Sequence, residues 1–125
     1  MRFVPTRLHG VADWLMGAAL VALPWLLGLD PSRPEGMIPM AIGVAGLIVT
    51  FFTDHELGVV RRIPMVGHLW VDALAGASLA ASPWLFGFAD RTWVPHVALG
   101  VVELIAAFVT KLRPGDARVG SPAHA

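Results

Sequence analysis

The sequence predicts an all-α fold: a bundle of four transmembrane helices, built from two tandem two-helix repeats in parallel orientation, with both termini cytoplasmic. Three observations predict it: composition, an internal duplication and the placement of basic residues. Of 125 residues, 56% are apolar and 14% charged, with a mean hydropathy of +0.68, whereas an average soluble domain is roughly 25% charged. At an offset of 59 positions the chain matches itself, with 11 of 21 positions identical from His9 to Leu29. That density of identity marks an internal repeat. Seven basic residues (Arg2, Arg7, Arg61, Arg62, Lys111, Arg113, Arg118) fall in the N-terminal, central and C-terminal segments, against two (Arg33, Arg91) in the other loops. Positive loops stay cytoplasmic, so both termini are expected there.

The duplication pairs Val4-Pro5 with Ile63-Pro64, His9 with His68, Asp13 with Asp72 and Gly17 with Gly76. It also pairs "LPWLLGL" at 23–29 with "SPWLFGF" at 82–88. The second half of each copy aligns after a small change in loop length, "IGVAGLIVTFFT" at 42–53 against "LGVVELIAAFVT" at 99–110. Repeat one therefore covers 4–56 and repeat two 63–112, within one membrane domain of residues 1–112. Residues 113–125, polar and rich in Gly, Pro and Ala, read as a flexible tail.

Helix one is expected over 5–28 and helix three over 64–87, each opened by a proline, because the missing proline N–H goes unneeded in a first turn. Helix two is expected over 39–54, opened by Pro39, and helix four over 95–112, opened by Pro95. Each run approaches the ~20 apolar residues that cross a bilayer. Two crossings per copy give the copies one orientation, with their symmetry axis along the membrane normal. Trp14 and Trp70 fall near the inner interface and Trp25, Trp84 and Trp93 near the outer one, as in an aromatic belt. "GAAL" at 17–20 and "AGASLAAS" at 75–82 offer small residues for close helix packing. The N-terminal run does not read as a signal peptide, since Asp13 interrupts it and its pattern recurs at 62–84.

The duplicated Pro-Trp element, with "SPW" itself at 82–84, resembles the SPW-repeat family of small bacterial membrane proteins over about residues 4–112. The resemblance implies a bacterial inner-membrane protein of four helices and carries no catalytic residue. Copy one departs from the motif, with Leu23 in place of the serine.

Three constellations remain. Pro24, Trp25 and Gly28, with Ser82, Pro83, Trp84 and Gly87, read as a bend, an interfacial anchor and a point of close packing. Proline removes a helical hydrogen bond, which frees the carbonyls of Leu20 and Leu79, and Ser82 can supply a donor in copy two. Second, His9-x3-Asp13 and His68-x3-Asp72 put each pair on one helix face. The plain reading is an acid held by a histidine near a helix start. The sharper one brings both pairs together as a ligand set for a divalent transition metal, or for a haem or quinone component, and a third reading is proton relay or pH sensing by His9 and His68. Third, Glu103 stands mid-helix opposite Gly46 of copy one, and an intramembrane carboxylate is by default a functional candidate. Its expected partner is Ser78 or the backbone of helix two, and His96, seven residues earlier, can extend a proton or ion path.

The chain lacks cysteine, which excludes disulfides and thiolate ligands, and no basic run marks a nucleic-acid partner. Hydrolase, phosphate-loop and dinucleotide motifs are absent. The expected function is a non-catalytic membrane module without a cofactor, whose partners are the lipid bilayer and a second copy or another membrane protein. The alternatives are a small transporter or conductor using Glu103, or a metal, haem or quinone component using the His-x3-Asp pairs.

Overall fold

A computed structural model describes residues 1–114; the expected tail from 115 onward, Arg118 included, lies outside the described residues. Four helices follow in order: α1 (Thr6–Leu27), α2 (Pro34–Phe51), α3 (Met65–Leu85) and α4 (Val94–Val109). Among the described residues there is no strand, only two isolated bridges, Val4 with Thr110 and Thr53 with Ile63.

The duplication is legible in what each helix buries. On α1 the buried residues are Thr6, His9, Gly10, Gly17, Leu20, Leu23 and Pro24; on α3 they are Met65, His68, Leu69, Gly76, Leu79, Ser82 and Pro83, the same register 59 positions on. Pro39, Gly43 and Thr50 of α2 correspond at an offset of 57 to His96, Gly100 and Ala107 of α4. Within each repeat the two helices meet backbone to backbone. A Cβ on Gly43 would lie 2.8 Å from the Gly17 carbonyl oxygen, and one on Gly100 2.5 Å from that of Gly76. Such an approach is open only to residues without a side chain. Between the repeats, Leu20, Leu23 and Leu79 form the apolar centre, with Met16, Ile38, Ile42 and Leu99 against it.

The helix starts correct one expectation. Pro39 does not open α2; it lies inside the helix, which begins five residues earlier at Pro34. Pro34 occupies the first-turn position that tolerates proline, and Glu35 supplies the acidic first turn that the helix dipole favours. The carbonyl of Glu35, four residues before Pro39, loses its helical donor. His96 Nε2 donates to that oxygen instead, at 2.8 Å. The far ends of α2 and α4 are shorter than expected: Thr53 and Thr110 lie beyond Phe51 and Val109 in extended bridges. Backbone bonds there are again duplicated. Phe3 and Val4 donate to Val109 O and Lys111 to Val4 O, while Ile63 donates to Phe52 O and Asp54 to Ile63 O. The segment before α1 is thus tied to the end of α4, and the segment before α3 to the end of α2.

The Pro-Trp element lies at the ends of α1 and α3. Pro24 and Pro83 sit in the last turns, and both are fully buried. Gly28 and Gly87 adopt φ of 66° and 70°, and Leu29 and Phe88 donate to the carbonyls of Pro24 and Pro83 at 2.7 and 2.8 Å. This is the left-handed glycine that closes a helix C-terminus. The expected close packing at these glycines is not found, because a Cβ on either would meet nothing within 4 Å. They are glycines for their backbone conformation. Ser82 donates to the freed Leu79 carbonyl at 2.7 Å, as expected, and Leu23 in copy one packs in the apolar centre instead.

The distribution of side chains is inverted relative to a soluble domain. Large apolar residues cover the outside, among them Leu15, Leu26, Ile48, Leu74, Ile105 and Phe108, whereas ten polar residues among those described, four of them histidines, are buried inside. Exposed apolar side chains in such number suit a surface that meets a membrane or a partner. α1 and α2 are long and apolar enough to cross a membrane, and α4 is apolar but shorter. α3 falls short of the same measure because His68, Asp72, Ser78, Ser82 and its glycines dilute it.

Candidate functional site

The buried histidines and aspartates of α1 and α3 converge. His9 Nε2 lies 2.8 Å from Asp72 Oδ2 and 3.1 Å from Asp13 Oδ1; His68 Nε2 lies 2.9 Å from Asp13 Oδ2 and 3.0 Å from Asp72 Oδ2. Each histidine therefore touches the acid of its own repeat and that of the other. One donor atom from each of the four residues can be chosen so that all lie within 4.8 Å of one another. The two imidazoles stand edge to face with centroids 5.5 Å apart. Both histidines are 2% exposed or less, and the aspartate side chains 16% and 17%.

The other nitrogen of each ring fixes its orientation. His9 Nδ1 lies 2.7 Å from Thr110 Oγ1, whose hydroxyl donates to the Ala106 carbonyl at 2.6 Å. His68 Nδ1 lies 2.7 Å from Thr53 Oγ1, whose hydroxyl donates to Val49 O at 2.6 Å. A hydroxyl has one proton, and here the helix carbonyl takes it. Each threonine must then accept from the histidine, which places a proton on Nδ1 in both rings. The Nε2 atoms consequently face the carboxylates either with a second proton or with a lone pair. Thr110 belongs to repeat two and serves His9 of repeat one; Thr53 does the reverse. Neither repeat holds a complete site.

These threonines do not stand out in the sequence as site residues, although a signal exists: both aligned second halves end on threonine, at 53 and 110. His55 is a further member that no motif marks. Its Nδ1 accepts from the Leu57 N–H at 3.1 Å, its Nε2 is buried without a partner among the described residues, and its ring meets His68 edge to face at 5.7 Å. Burial, reinforced by the neighbouring His68, holds the His55 imidazole below the usual histidine range.

Glu103 belongs to the same region. With His9, Asp13 and Asp72 it lines a cavity of ≈ 50 Å³. With Asp13, Asp72, Thr50 and Gly46 it lines a second of ≈ 20 Å³. The smaller volume suffices for about one water-sized guest. Gly46, the equivalent of Glu103 in repeat one, leaves open space there, with nothing within 4 Å of a would-be Cβ. In place of the expected bond to Ser78 or the α2 backbone, Glu103 Oε2 is buried with no partner among the described residues. His96 does not extend a path from Glu103. Its Nε2 holds the Glu35 carbonyl, and its ring packs on Phe88 at 4.9 Å. Beside it, Arg91 grips Glu35 with two bonds of 3.0 Å. That carboxylate raises the Arg91 pKa above its ordinary value. Trp25 and Trp84, the pair that could also line a lipid or ligand site, are 67% and 61% exposed.

An all-helical chain with an apolar exterior, a duplicated register and a polar centre defines a repeat protein suited to a membrane. The family profile for the SPW repeat domain matches residues 7–110, and the chain belongs to that family. A search of curated proteins and a search of solved structures each returned no match.

Proposed function

We infer that the chain is a non-catalytic, multi-pass membrane module of a bacterial inner membrane. In this reading four helices cross the bilayer, the two repeats run parallel, and both termini are cytoplasmic. The observation that carries it is the inverted distribution of side chains, with histidines, threonines and the Glu35 carboxylate inside and large apolar residues outside. In lipid the hydrophobic effect no longer drives helices together, so close glycine contacts and interhelical hydrogen bonds must. The Gly17–Gly43 and Gly76–Gly100 approaches and the His-Asp quartet are of that kind. Parallel repeats are supported by two contacts at different heights, His9 with Asp72 and Leu20 with Leu79. The exposed Trp, Leu and Phe side chains then face lipid, a second copy or another membrane protein that the module supports.

The absence of cysteine makes the test direct. Single cysteines at Ser32, Asp90, Asp54 and Arg62 are treated in intact cells with a membrane-impermeant maleimide. The expected result is labelling of the first two from outside, and of the last two only after permeabilisation. Uniform labelling, or recovery of the chain without membrane, overturns the reading.

A further inference from the structure

We propose that the quartet His9, Asp13, His68 and Asp72 is a binding site for one divalent transition-metal ion, with Thr53 and Thr110 as the residues that aim its histidines.

The geometry carries this in three steps. The four residues form a closed ring, His9–Asp72–His68–Asp13, with edges of 2.8, 3.0, 2.9 and 3.1 Å, Asp13 offering one oxygen to each histidine. Donors bound at the 2.0–2.2 Å of zinc to imidazole and carboxylate stand about 3.3–3.6 Å apart around a tetrahedral ion, against edges of 2.8–3.1 Å here and an outer limit of 4.8 Å for one donor atom from each residue. An ion enters with shifts of a few tenths of an ångström. The centre is also too tight for a haem or quinone, since the carboxylates stand between the imidazoles.

The surroundings are those of a ligand set rather than of two separate ion pairs. Metal-binding histidines hand their second nitrogen to an oriented acceptor, which sets the tautomer and presents a lone pair to the ion. Thr53 and Thr110 do this twice, each locked by its own bond to a helix carbonyl. Two carboxylates facing two imidazoles protonated only on Nδ1 carry a charge of minus two, which is cancelled either by a further proton on each Nε2 or by one divalent ion in their place; buried charge without such compensation is costly. Nitrogen and oxygen donors without thiolate suit zinc, iron or nickel better than copper(I).

Glu103 completes the arrangement. Its buried, unpartnered Oε2 borders the ≈ 50 Å³ cavity that His9, Asp13 and Asp72 also line. A water bound to the ion from that side has an acceptor waiting. Gly46 at the equivalent place in repeat one offers none, so the site is two-fold in its ligands while the added carboxylate comes from one repeat alone.

The test uses the full chain in detergent micelles, purified through a tag without histidines and analysed for metal by mass spectrometry, then chelator-stripped and titrated with Zn²⁺ and Co²⁺. The expected result is about one zinc per chain, a rise in melting temperature on adding Zn²⁺, and visible Co²⁺ absorption bands of a low-coordinate site. Thr110→Val, which keeps all four ligands, should weaken zinc binding by roughly 10- to 100-fold, and Thr110→Ser should restore it. Asp13→Asn with Asp72→Asn should abolish uptake; should that variant not fold, the wild-type cobalt spectrum and the threonine pair decide. A folded chain that takes up no zinc, or whose uptake ignores the aspartate and threonine changes, overturns the proposal. Either result leaves the membrane-module reading standing, since that rests on labelling topology.

Discussion

His9 of the first repeat places its Nε2 2.8 Å from Asp72 of the second, and His68 of the second places its own 2.9 Å from Asp13 of the first. Each half of the duplication is therefore completed by the other. Asp13→Asn and Asp72→Asn should each destabilise the chain by about 3 kcal/mol, because removing one partner leaves a buried group uncompensated. The two should cost alike and add poorly when combined, since contacting residues couple. Reversible unfolding in mixed micelles measures all three variants.

Thr53→Val and Thr110→Val strip the acceptor from a histidine Nδ1–H while filling the same volume. An unmet buried donor costs roughly 1–3 kcal/mol. Serine at either position keeps the hydroxyl and should recover most of the loss. Equal stability of the valine and serine variants would show that the hydroxyl is not accepting from the ring.

Glycine substitutions should separate by cause. Gly28→Ala and Gly87→Ala have open space but positive φ, and should cost about 1–2 kcal/mol. Gly43→Ala and Gly100→Ala push a methyl against backbone, and should cost more, about 3 kcal/mol, because the helices must move apart. The ranking, read from melting temperatures, is the prediction.

Ser82→Ala removes the donor to the Leu79 carbonyl. In membrane proteins such bonds average about 0.6 kcal/mol, so the loss should be small and the topology unchanged. A large loss would assign the SPW serine a role beyond this carbonyl.

Proteoliposomes address Glu103. For a packing module, Glu103→Gln should leave proton and cation leak unchanged. A leak present in the wild type and lost in the variant would favour the conductor reading instead.

Much of this fold is legible in the residues because the chain states it twice. A 59-residue offset repeats the same residues along α1 and α3, so the two helices bury equivalent faces. His-x3-Asp spacing puts each pair on one face, and the removal of a hydrogen bond by proline points to Ser82 and Leu79. Repetition says that the two helices are alike but not what faces them. Only the tertiary structure decided that His9 meets Asp72 as well as Asp13, that Thr110 and Thr53 serve the histidine of the opposite repeat, and that Glu103 borders the same cavity. The histidine contacts to the opposite repeat join residues 15 to 101 positions apart, and no local rule reaches across helices. For the same reason Pro39 looks like a helix start in the sequence. Its lost donor is replaced by His96 from α4, a partner that exists only once the helices are packed.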